Sequence, residues 1–461
     1  MLWMYSKTGP VIAKADINKD GLEDIFISGD NDSAGRIYVQ QPGKKFTVVE
    51  GLAIGNEHES STSAAAFFDC NGDGYPDLYV AKGGYLSWEP GSPALQDELY
   101  VNDGKGNFSL AENALPDVSA ASKSCVRPCD YDGDGDTDLF IGGRVIPGKY
   151  PLSPTTYLLV NNGKGVFSSA ATSFSHTGMV TDAQWADINN DGKKDLVVCG
   201  EFMPISVYIN TATGFINQTK DYFSGAANGF WFGLTIADVN ADGKDDIIAG
   251  NLGLNSPFHV SEKEPAELYY ADFDGNGSVD PFFNCYVQGK SYPFVSRDEL
   301  NEQIYGMRKR FSSYKNYADV TIKDIFSPEE LAKNPALYVN ESKTTCFINQ
   351  NKQFIKKDLP LQAQFSAVAK IVANDFNRDG KTDLLLFGNH SDNRLKIGSI
   401  DANYGCLLAG DGNGNFTYVH QPEAGLCVKG DVKSAEELII GGERYVVVGV
   451  TGGELNLYKV N

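Results

Sequence analysis

A nine-residue acidic motif, repeated seven times, constrains this chain more than any other feature. In its third copy, residues 130–138, carboxylates occupy positions 1, 3, 5 and 9 and a glycine occupies position 6. Ca²⁺ takes about six to eight oxygen ligands, and a tight turn with acids at alternate positions supplies them. The glycine lets the backbone turn where a side chain would obstruct it, and the apolar run Leu139–Ile141 follows at once. The motif therefore predicts calcium loops that lead directly into β-strands.

The seven copies share the pattern D-x-[DN]-x-[DN]-G-x-x-D, with no Glu at position 12, so they differ from the helix-flanked calcium loop. The predicted metal ligands are Asp16, Asn18, Asp20, Asp24, Asp69, Asn71, Asp73, Asp77, Asp130, Asp132, Asp134, Asp138, Asp187, Asn189, Asp191, Asp195, Asp238, Asn240, Asp242, Asp246, Asp272, Asp274, Asn276, Asp280, Asp375, Asn377, Asp379 and Asp383. The alternative is that the loops are only Asx-Gly turns, although such turns need no acid at position 9. We expect several Ca²⁺ ions, up to seven.

The formal net charge of −21 is consistent with this interpretation, because seven Ca²⁺ ions would reduce it to −7. Many of the carboxylates would then be metal ligands and would not form a general acidic surface. A strongly acidic chain does not fit nucleic acid as a partner, since nucleic acid requires a basic face. The sequence contains no run of about 20 apolar residues, so no transmembrane segment is predicted. Loops that need high calcium favour an extracellular or outer-membrane location, with the targeting segment expected to be absent from this chain, and no particular oligomeric state is predicted.

The acidic loops belong to a longer repeat of four short strands. In residues 64–111, a strand precedes the loop, a second follows it, and an Asp-Gly turn near residue 103 joins a third strand to a fourth. The first five loops begin 53, 61, 57 and 51 residues apart. A period of about 50–60 residues with four strands is typical of propeller blades. The pattern predicts an all-β, single-domain propeller of four-stranded antiparallel blades over residues 1–461.

The whole pattern resembles FG-GAP/VCBS repeats, the repeats of integrin α-chain propellers. Four segments suggest a closer similarity to Bacteroidetes cell-surface VCBS/cartilage-acidic-protein-like proteins: Gly142–Gly148, Asn251–Asn255, Tyr270–Ser278 and Arg297–Leu300. The resemblance implies a secreted or cell-surface protein, and the lack of catalytic motifs favours a non-enzymatic one. It also implies that a partner binds the face opposite the calcium loops.

The period breaks after residue 246, which leaves the blade count open between seven and eight. The Asp272 loop starts 34 residues after the Asp238 loop, and the next starts 103 residues later. We assign Glu267–Ala271 and Pro281–Val287 to the outer strands of the fifth blade, which gives seven blades. The alternative makes them the first hairpin of an eighth.

Two segments depart from the repeat. Residues 296–336 contain the capping box Ser296–Glu299 and a Ser-Pro helix start at Ser327, and they predict a small helical insertion. Residues 425–461 form a last blade of four strands without a metal loop. We expect the apolar segment Leu2–Tyr5 to add an edge strand to that blade and to close the ring.

The loops between the second and third strands of each blade face away from the calcium loops. Long loops on a rigid scaffold concentrate binding residues, and Trp, Tyr and Arg suit protein or glycan partners. The predicted ligand-binding residues are Tyr85, Trp88, Arg144, Tyr150, Asn251, Asn255, Asn389 and Arg394. The alternative is that several of these side chains pack the mouth of the channel.

The sequence contains no recognisable nucleophile, zinc or phosphate-binding motif. Carboxylates are abundant enough to supply a catalytic pair, so a polysaccharide lyase or glycoside hydrolase on the propeller scaffold is the alternative function. The eight cysteines lie in apparent strands, and we expect buried free thiols more than disulfides.

Overall fold

The computed structural model describes residues 2–3, 5, 7–29, 33–52, 54, 61–85, 88–225, 227–350 and 352–460. In these residues, strands form eight antiparallel sheets. Most have four strands in chain order, as the repeat predicts. The all-β fold with four-stranded antiparallel sheets is confirmed.

The first four sheets follow the chain without interruption. Blade 1 contains β1 (Ile12–Ala15), β2 (Asp24–Ile27), β3 (Arg36–Gln41) and β4 (Lys45–Val48). Blade 2 contains β5 (Ser61–Phe68), β6 (Asp77–Gly83), β7 (Glu98–Asn102) and β8 (Phe108–Leu110). Blade 3 contains β9 (Ser122–Cys129), β10 (Asp138–Val145), β11 (Tyr157–Asn161) and β12 (Phe167–Ala170). Blade 4 contains β13 (Met179–Ala186), β14 (Asp195–Pro204), β15 (Ser206–Thr211) and β16 (Gly214–Asn217), with β17 (Asn228–Phe230) paired to β14.

The later sheets include one that interrupts a blade. Blade 5 contains β18 (Gly233–Ala237), β19 (Asp246–Gly250), β24 (Thr345–Gln350) and β25 (Gln353–Asp358). The inserted sheet contains β20 (Ala266–Ala271), β21 (Asp280–Val287), β22 (Lys290–Pro293) and β23 (Leu337–Val339). Blade 6 contains β26 (Val368–Asn374), β27 (Asp383–Gly388), β28 (Cys406–Gly410) and β29 (Phe416–Tyr418). Blade 7 contains β30 (Val432–Ile440), β31 (Glu443–Val450) and β32 (Asn456–Lys459).

Short helices connect these strands. The α-helices are α1 (Thr219–Tyr222), α2 (Arg297–Gln303), α3 (Met307–Arg310), α4 (Tyr314–Tyr317), α5 (Ile322–Ile325), α6 (Pro328–Lys333) and α7 (Gln421–Ala424). Two 3₁₀ turns lie at Pro93–Leu95 and Leu361–Gln364. Among the described residues, no helix has the length and apolar character needed to cross a bilayer.

Seven sheets place their first strands in a closed ring. Going round the ring, β1, β5, β9, β13, β18, β26 and β30 each contact the next, and β30 contacts β1. The second strand of each blade is covered on both faces by the neighbouring blades. In β6, for example, all seven residues are buried. The apolar runs of these second strands are therefore nearly continuous, as expected for strands covered on both sides. Outer strands expose alternate or successive side chains, as in β8.

The assignment of the outer strands of the fifth blade is wrong. Glu267–Ala271 and Pro281–Val287 lie in the inserted sheet, and β19 instead pairs with β24 through Ile248 and Cys346. The chain leaves blade 5 after Gly250 and returns at Thr345, and β20 pairs with β23 through Ala266 and Val339. A partner strand about 70 residues away carries no local sequence signal, which explains the error.

The prediction for the N-terminal segment is also wrong. Blade 7 has three strands among the described residues, and Trp3 forms an isolated bridge with Asn393. Leu2, Trp3 and Tyr5 are buried in the central mouth of the ring. The Trp3 ring packs edge-on against Phe230, and this burial removes more apolar surface from water than an exposed edge strand would.

The cysteines are free, as predicted, but Cys129 and Cys285 are only half-buried and Cys427 is exposed. The others, Cys70, Cys125, Cys199, Cys346 and Cys406, are buried.

Candidate metal loops and the opposite face

All seven acidic loops share one backbone geometry. In each, the Asp at position 1 accepts a hydrogen bond from the glycine N–H at position 6, at 2.6–3.1 Å. The glycine at this position has positive φ, as at Gly135 with φ 95°, a conformation that suits glycine. The turn that brings the ligand positions together is therefore formed by the chain itself.

The Asp at position 9 is buried and joins two parts of its blade. In blade 2, Asp77 accepts hydrogen bonds from the N–H of Cys70 in its own loop and from the N–H of Asn102 at the end of the third strand. The same third-strand contact recurs in six blades. The acid at position 9 thus has a structural role in addition to any metal role, so its presence alone does not distinguish a metal loop from a turn.

Two loops bring three carboxylates close enough to hold one ion. Oxygens of Asp130, Asp132 and Asp138 lie within 4.8 Å of one another, and those of Asp272, Asp274 and Asp280 do the same. In the other five loops position 3 is Asn, whose amide oxygen is also a suitable Ca²⁺ ligand.

Asp138 shows the strongest fit to a cation. It is 1% exposed, and its Oδ2 has no hydrogen-bond partner within the described residues. Burial, together with the nearby charges of Asp132 and Asp134, raises the pKa of Asp138 to about 7. A buried carboxylate with an unsatisfied oxygen is stabilised by a positive charge, and a hard cation in this loop would supply it.

A side-chain contact that the sequence analysis missed links each blade to the loop of the preceding blade. Asn161, at the end of β11, donates from Nδ2 to the carbonyl of Cys70 in the loop of blade 2, at 2.8 Å. The donors that act in this way at the seven junctions are Asn102, Asn161, Asn210, Asn349, Thr382, Arg444 and Gln40. We call these contacts the junction latches. Their signal in the sequence is an Asn that is the last or next-to-last residue of the third strand in four repeats.

Removing one junction latch should destabilise the ring. Asn161 is 4% exposed, and Asn161→Ala leaves the carbonyl of Cys70 without this partner. We expect a loss of about 1–3 kcal/mol in the free energy of unfolding, the cost of an unsatisfied buried group, measured by urea unfolding in calcium. The exposed Asn413, whose Nδ2 bonds only within its own turn, gives the matched control Asn413→Ala. Equal stability of the two variants would show that the latch does not contribute.

The opposite face carries the predicted ligand-binding residues, but four of them are buried within it. Arg144 forms an ion pair with Glu201, Nη2 to Oε1 at 2.6 Å, and its guanidinium lies 4.2 Å from the Tyr5 ring centroid. Tyr150 is 4% exposed. The expectation that these two side chains are exposed is wrong, because the N-terminal segment covers them.

Asn251 and Asn389 are likewise structural. Asn251 accepts from the N–H of Phe230 and donates to the carbonyl of Glu341, and it is fully buried. Asn389 accepts from Ser366 and donates to backbone carbonyls of two neighbouring loops. Both amides satisfy buried backbone groups at points where the chain turns out of a strand, so the prediction that they are free for a ligand is wrong.

The other four predicted residues are accessible to different degrees. Tyr85 is half-buried, and its hydroxyl accepts from the N–H of Gly148 at 3.1 Å. Trp88 is half-buried, whereas Asn255 and Arg394 are exposed. Their role as ligand residues stays a prediction.

A family profile described as FG-GAP-like repeat matches residues 16–80, 152–198 and 187–249. The chain therefore contains FG-GAP-like repeats, and its fold is that of a β-propeller. The matched ranges include the acidic loops at Asp16, Asp69, Asp187 and Asp238.

Two curated relatives of this chain are phosphatidylinositol-glycan-specific phospholipases D. The rat protein is 28% identical over 168 residues, which are 31% of this chain and 19% of the rat protein. The mouse protein is 29% identical over 163 residues, with the same coverage. The alignment therefore spans about a fifth of each relative.

Two solved structures match this chain over nearly its whole length at low sequence identity. Sqt1 of Saccharomyces cerevisiae has a TM-score of 0.46 and 13% identity, covering 99% of this chain and 96% of Sqt1. The Dos1 propeller has a TM-score of 0.43 and 10% identity, covering all of this chain and 95% of Dos1.

Proposed function

We propose that this chain is a non-enzymatic, calcium-binding propeller of the cell surface or extracellular space, and that it recognises a protein or glycan through the face opposite its calcium loops. The acidic loops would be structural. Each would use its position 1, 3, 5 and 9 side chains to hold one Ca²⁺, which would tie an inner hairpin together and neutralise its carboxylates.

One observation carries the recognition part of this proposal. The loops that face away from the calcium loops expose apolar side chains beside the predicted residue Asn255. Leu254, Leu361 and Phe365 are 41%, 61% and 42% exposed, and Asn255 donates to the carbonyl of Phe365 at 3.1 Å. We call Leu254, Leu361 and Phe365 the apolar patch. Grouped apolar side chains on a soluble surface mark interaction sites.

The patch lies on that face because of strand direction. Leu254 and Asn255 follow the end of β19, the second strand of blade 5, and residues 361–366 precede β26, the first strand of blade 6. In every blade with an acidic loop, that loop joins the end of the first strand to the start of the second. The end of a second strand and the start of a first strand therefore both lie on the opposite face.

The proposal is tested by binding of the intact protein, in calcium, to arrays of glycans and of extracellular proteins. Leu254→Ser and Phe365→Ser should each weaken binding of the captured partner by at least about tenfold, since apolar anchors dominate such interfaces. Leu110→Ser, in the exposed outer strand β8, is the matched control and should bind normally. Binding that is unchanged in both patch variants, or an absence of any binding, would contradict the proposal. Turnover of a glycan on the same array would instead favour a polysaccharide lyase or glycoside hydrolase.

The location and the closer resemblance to Bacteroidetes surface proteins belong to the same proposal. Loops of this kind fit a calcium-rich, extracytoplasmic setting. The relatives named above are similar over a fifth of their length, so their activity is not carried over to this chain.

A further inference from the structure

A cavity of about 440 Å³ lies between the inserted sheet, the helix α2 and the mouth of the ring. Its volume falls within the range of about 300–1,000 Å³ found for small-ligand sites. One wall is apolar and is formed by Leu2, Leu268, Phe283 and Phe294. We call it the mouth cavity.

The polar groups of the mouth cavity differ in whether they already have partners. The two carboxylates are occupied. Asp280 accepts from the N–H of Phe273 and from Nε2 of Gln303, each at 3.1 Å. Glu299 accepts from Lys396 and from the N–H and hydroxyl of Ser296.

The charge state of Glu299 follows from those partners. Burial raises its pKa, but the hydrogen bonds from Lys396 and Ser296 prevail and lower it to about 2. Glu299 is therefore a paired anion whose charge Lys396 balances, and it does not offer a free acceptor to a ligand.

Gln303 donates to Asp280, but two other donors of the cavity, Tyr150 and Arg394, have no hydrogen-bond acceptor within the described residues. Tyr150 is 4% exposed, and its hydroxyl has no partner within the described residues. A buried hydroxyl without a hydrogen bond is costly. The guanidinium of Arg394 is 3.9 Å from its nearest carboxylate oxygen, on Glu299, which is longer than a hydrogen bond. The cavity therefore combines free donors, including one cation, with an aromatic wall.

This combination specifies the ligand. Free donors require acceptors, and a guanidinium binds a carboxylate better than a hydroxyl because the bond is charge-assisted. Phe294 is half-buried and offers aromatic surface against which the C–H face of a sugar ring can pack, beside the buried Phe283. From these observations we propose that the mouth cavity binds a uronic-acid residue of an acidic glycan. The carboxylate would lie against Arg394 and Tyr150, and the sugar ring against the phenylalanines.

This inference rests on the proposed function, since it names the glycan class. The site lies at the mouth of the ring, where Asn276 and Asp280 of the acidic loop in the inserted sheet also line the cavity. Tyr150 and Arg394 would then bind the ligand within a cavity and not on an open surface. Tyr150 acts from inside the cavity, and Arg394 acts from its rim.

The test is calorimetric titration of the whole protein, in calcium, with trigalacturonate and with neutral galactotriose. We expect trigalacturonate to bind at least tenfold tighter than galactotriose. Arg394→Gln should weaken trigalacturonate binding at least tenfold, and Tyr150→Phe several-fold. Because the Tyr150 hydroxyl has no partner in the protein, Tyr150→Phe should fold normally, so a loss of binding would report on the ligand. Arg36→Gln, at an exposed position of β3, removes a positive charge elsewhere and should bind as the wild type does.

Several results would overturn the inference. These are equal affinity for the two trisaccharides, unchanged trigalacturonate affinity in both cavity variants, or no binding of trigalacturonate. If trigalacturonate fails while a partner from the arrays still depends on Leu254 and Phe365, the proposed function stands and this inference alone falls. If neither binding is found, both fall.

Discussion

Chelation of calcium should lower the melting temperature of this protein by about 15 °C. A ligand that binds only the folded state at 100 times its Kd stabilises that state by about 2.7 kcal/mol per site, so the six loops of blades 1–6 give about 16 kcal/mol. An unfolding entropy of about 2.1 cal/mol/K per residue makes 1 kcal/mol worth about 1 °C in a chain of 461 residues. The measurement is thermal unfolding with Ca²⁺ and with EGTA, together with elemental analysis of bound metal.

The structure explains why the effect should be large without being total. Hydrogen bonds from the glycine N–H groups already form the loop turns, and buried Asp residues at position 9 already join the strands. Removing the ion leaves these contacts but restores repulsion among carboxylates such as Asp130, Asp132 and Asp138. We therefore expect a folded, less stable protein in EGTA, and recovery when calcium is restored. No shift and no bound metal would show that the loops are turns only.

Replacing Arg144 by alanine should cost about 3–5 kcal/mol in the free energy of unfolding. Glu201 is 1% exposed, and removal of Arg144 leaves this carboxylate buried with the Tyr5 hydroxyl as its remaining hydrogen-bond donor. Breaking one side of a buried ion pair is costly because the other charge stays uncompensated. The measurement is thermal or urea unfolding in calcium, with an expected fall of about 3–5 °C in melting temperature.

Two further variants test whether the loss of stability comes from the uncompensated Glu201 charge or from any substitution at the mouth of the ring. Arg144→Met combined with Glu201→Leu removes both charges and should recover most of the stability, since apolar replacements of buried pairs are often neutral. Arg394→Ala, at an exposed arginine on the same face, should change stability little. A double variant as unstable as Arg144→Ala would show that packing, and not the uncompensated charge, is responsible.

The parts of the fold that repeat locally could be predicted from the sequence. The loop at Asp130 is followed immediately by the apolar strand at Leu139, and the same order recurs within about 60 residues. The inserted sheet could not be predicted in this way, because Ala266 and Val339 pair across the whole helical segment. Their pairing depends on the packing of the insertion against the mouth of the ring.

The site was predicted less completely than the fold, for a similar reason. Residue type and loop position indicated that Arg144 and Tyr150 face away from the acidic loops. They gave no sign that Tyr5 would lie against Arg144, since this contact joins residues far apart in the chain. Whether a polar side chain is free or already paired depends on such contacts. That difference separates Arg144, which is bound to Glu201, from Arg394 at the rim of the mouth cavity.

The junction latches have a consequence for how the proposed ions would bind. Because Asn161 holds the Cys70 carbonyl, an ion that orders the Asp69 loop also fixes the surface on which the next blade rests. Each loop would therefore influence its neighbours and, through them, the rest of the circle, as in a one-dimensional array with nearest-neighbour coupling whose two ends have been joined. Calcium uptake by such a circle should be cooperative, with a titration curve steeper than that of independent sites. A single vacant loop would act as a local defect whose influence fades with the number of blades from it.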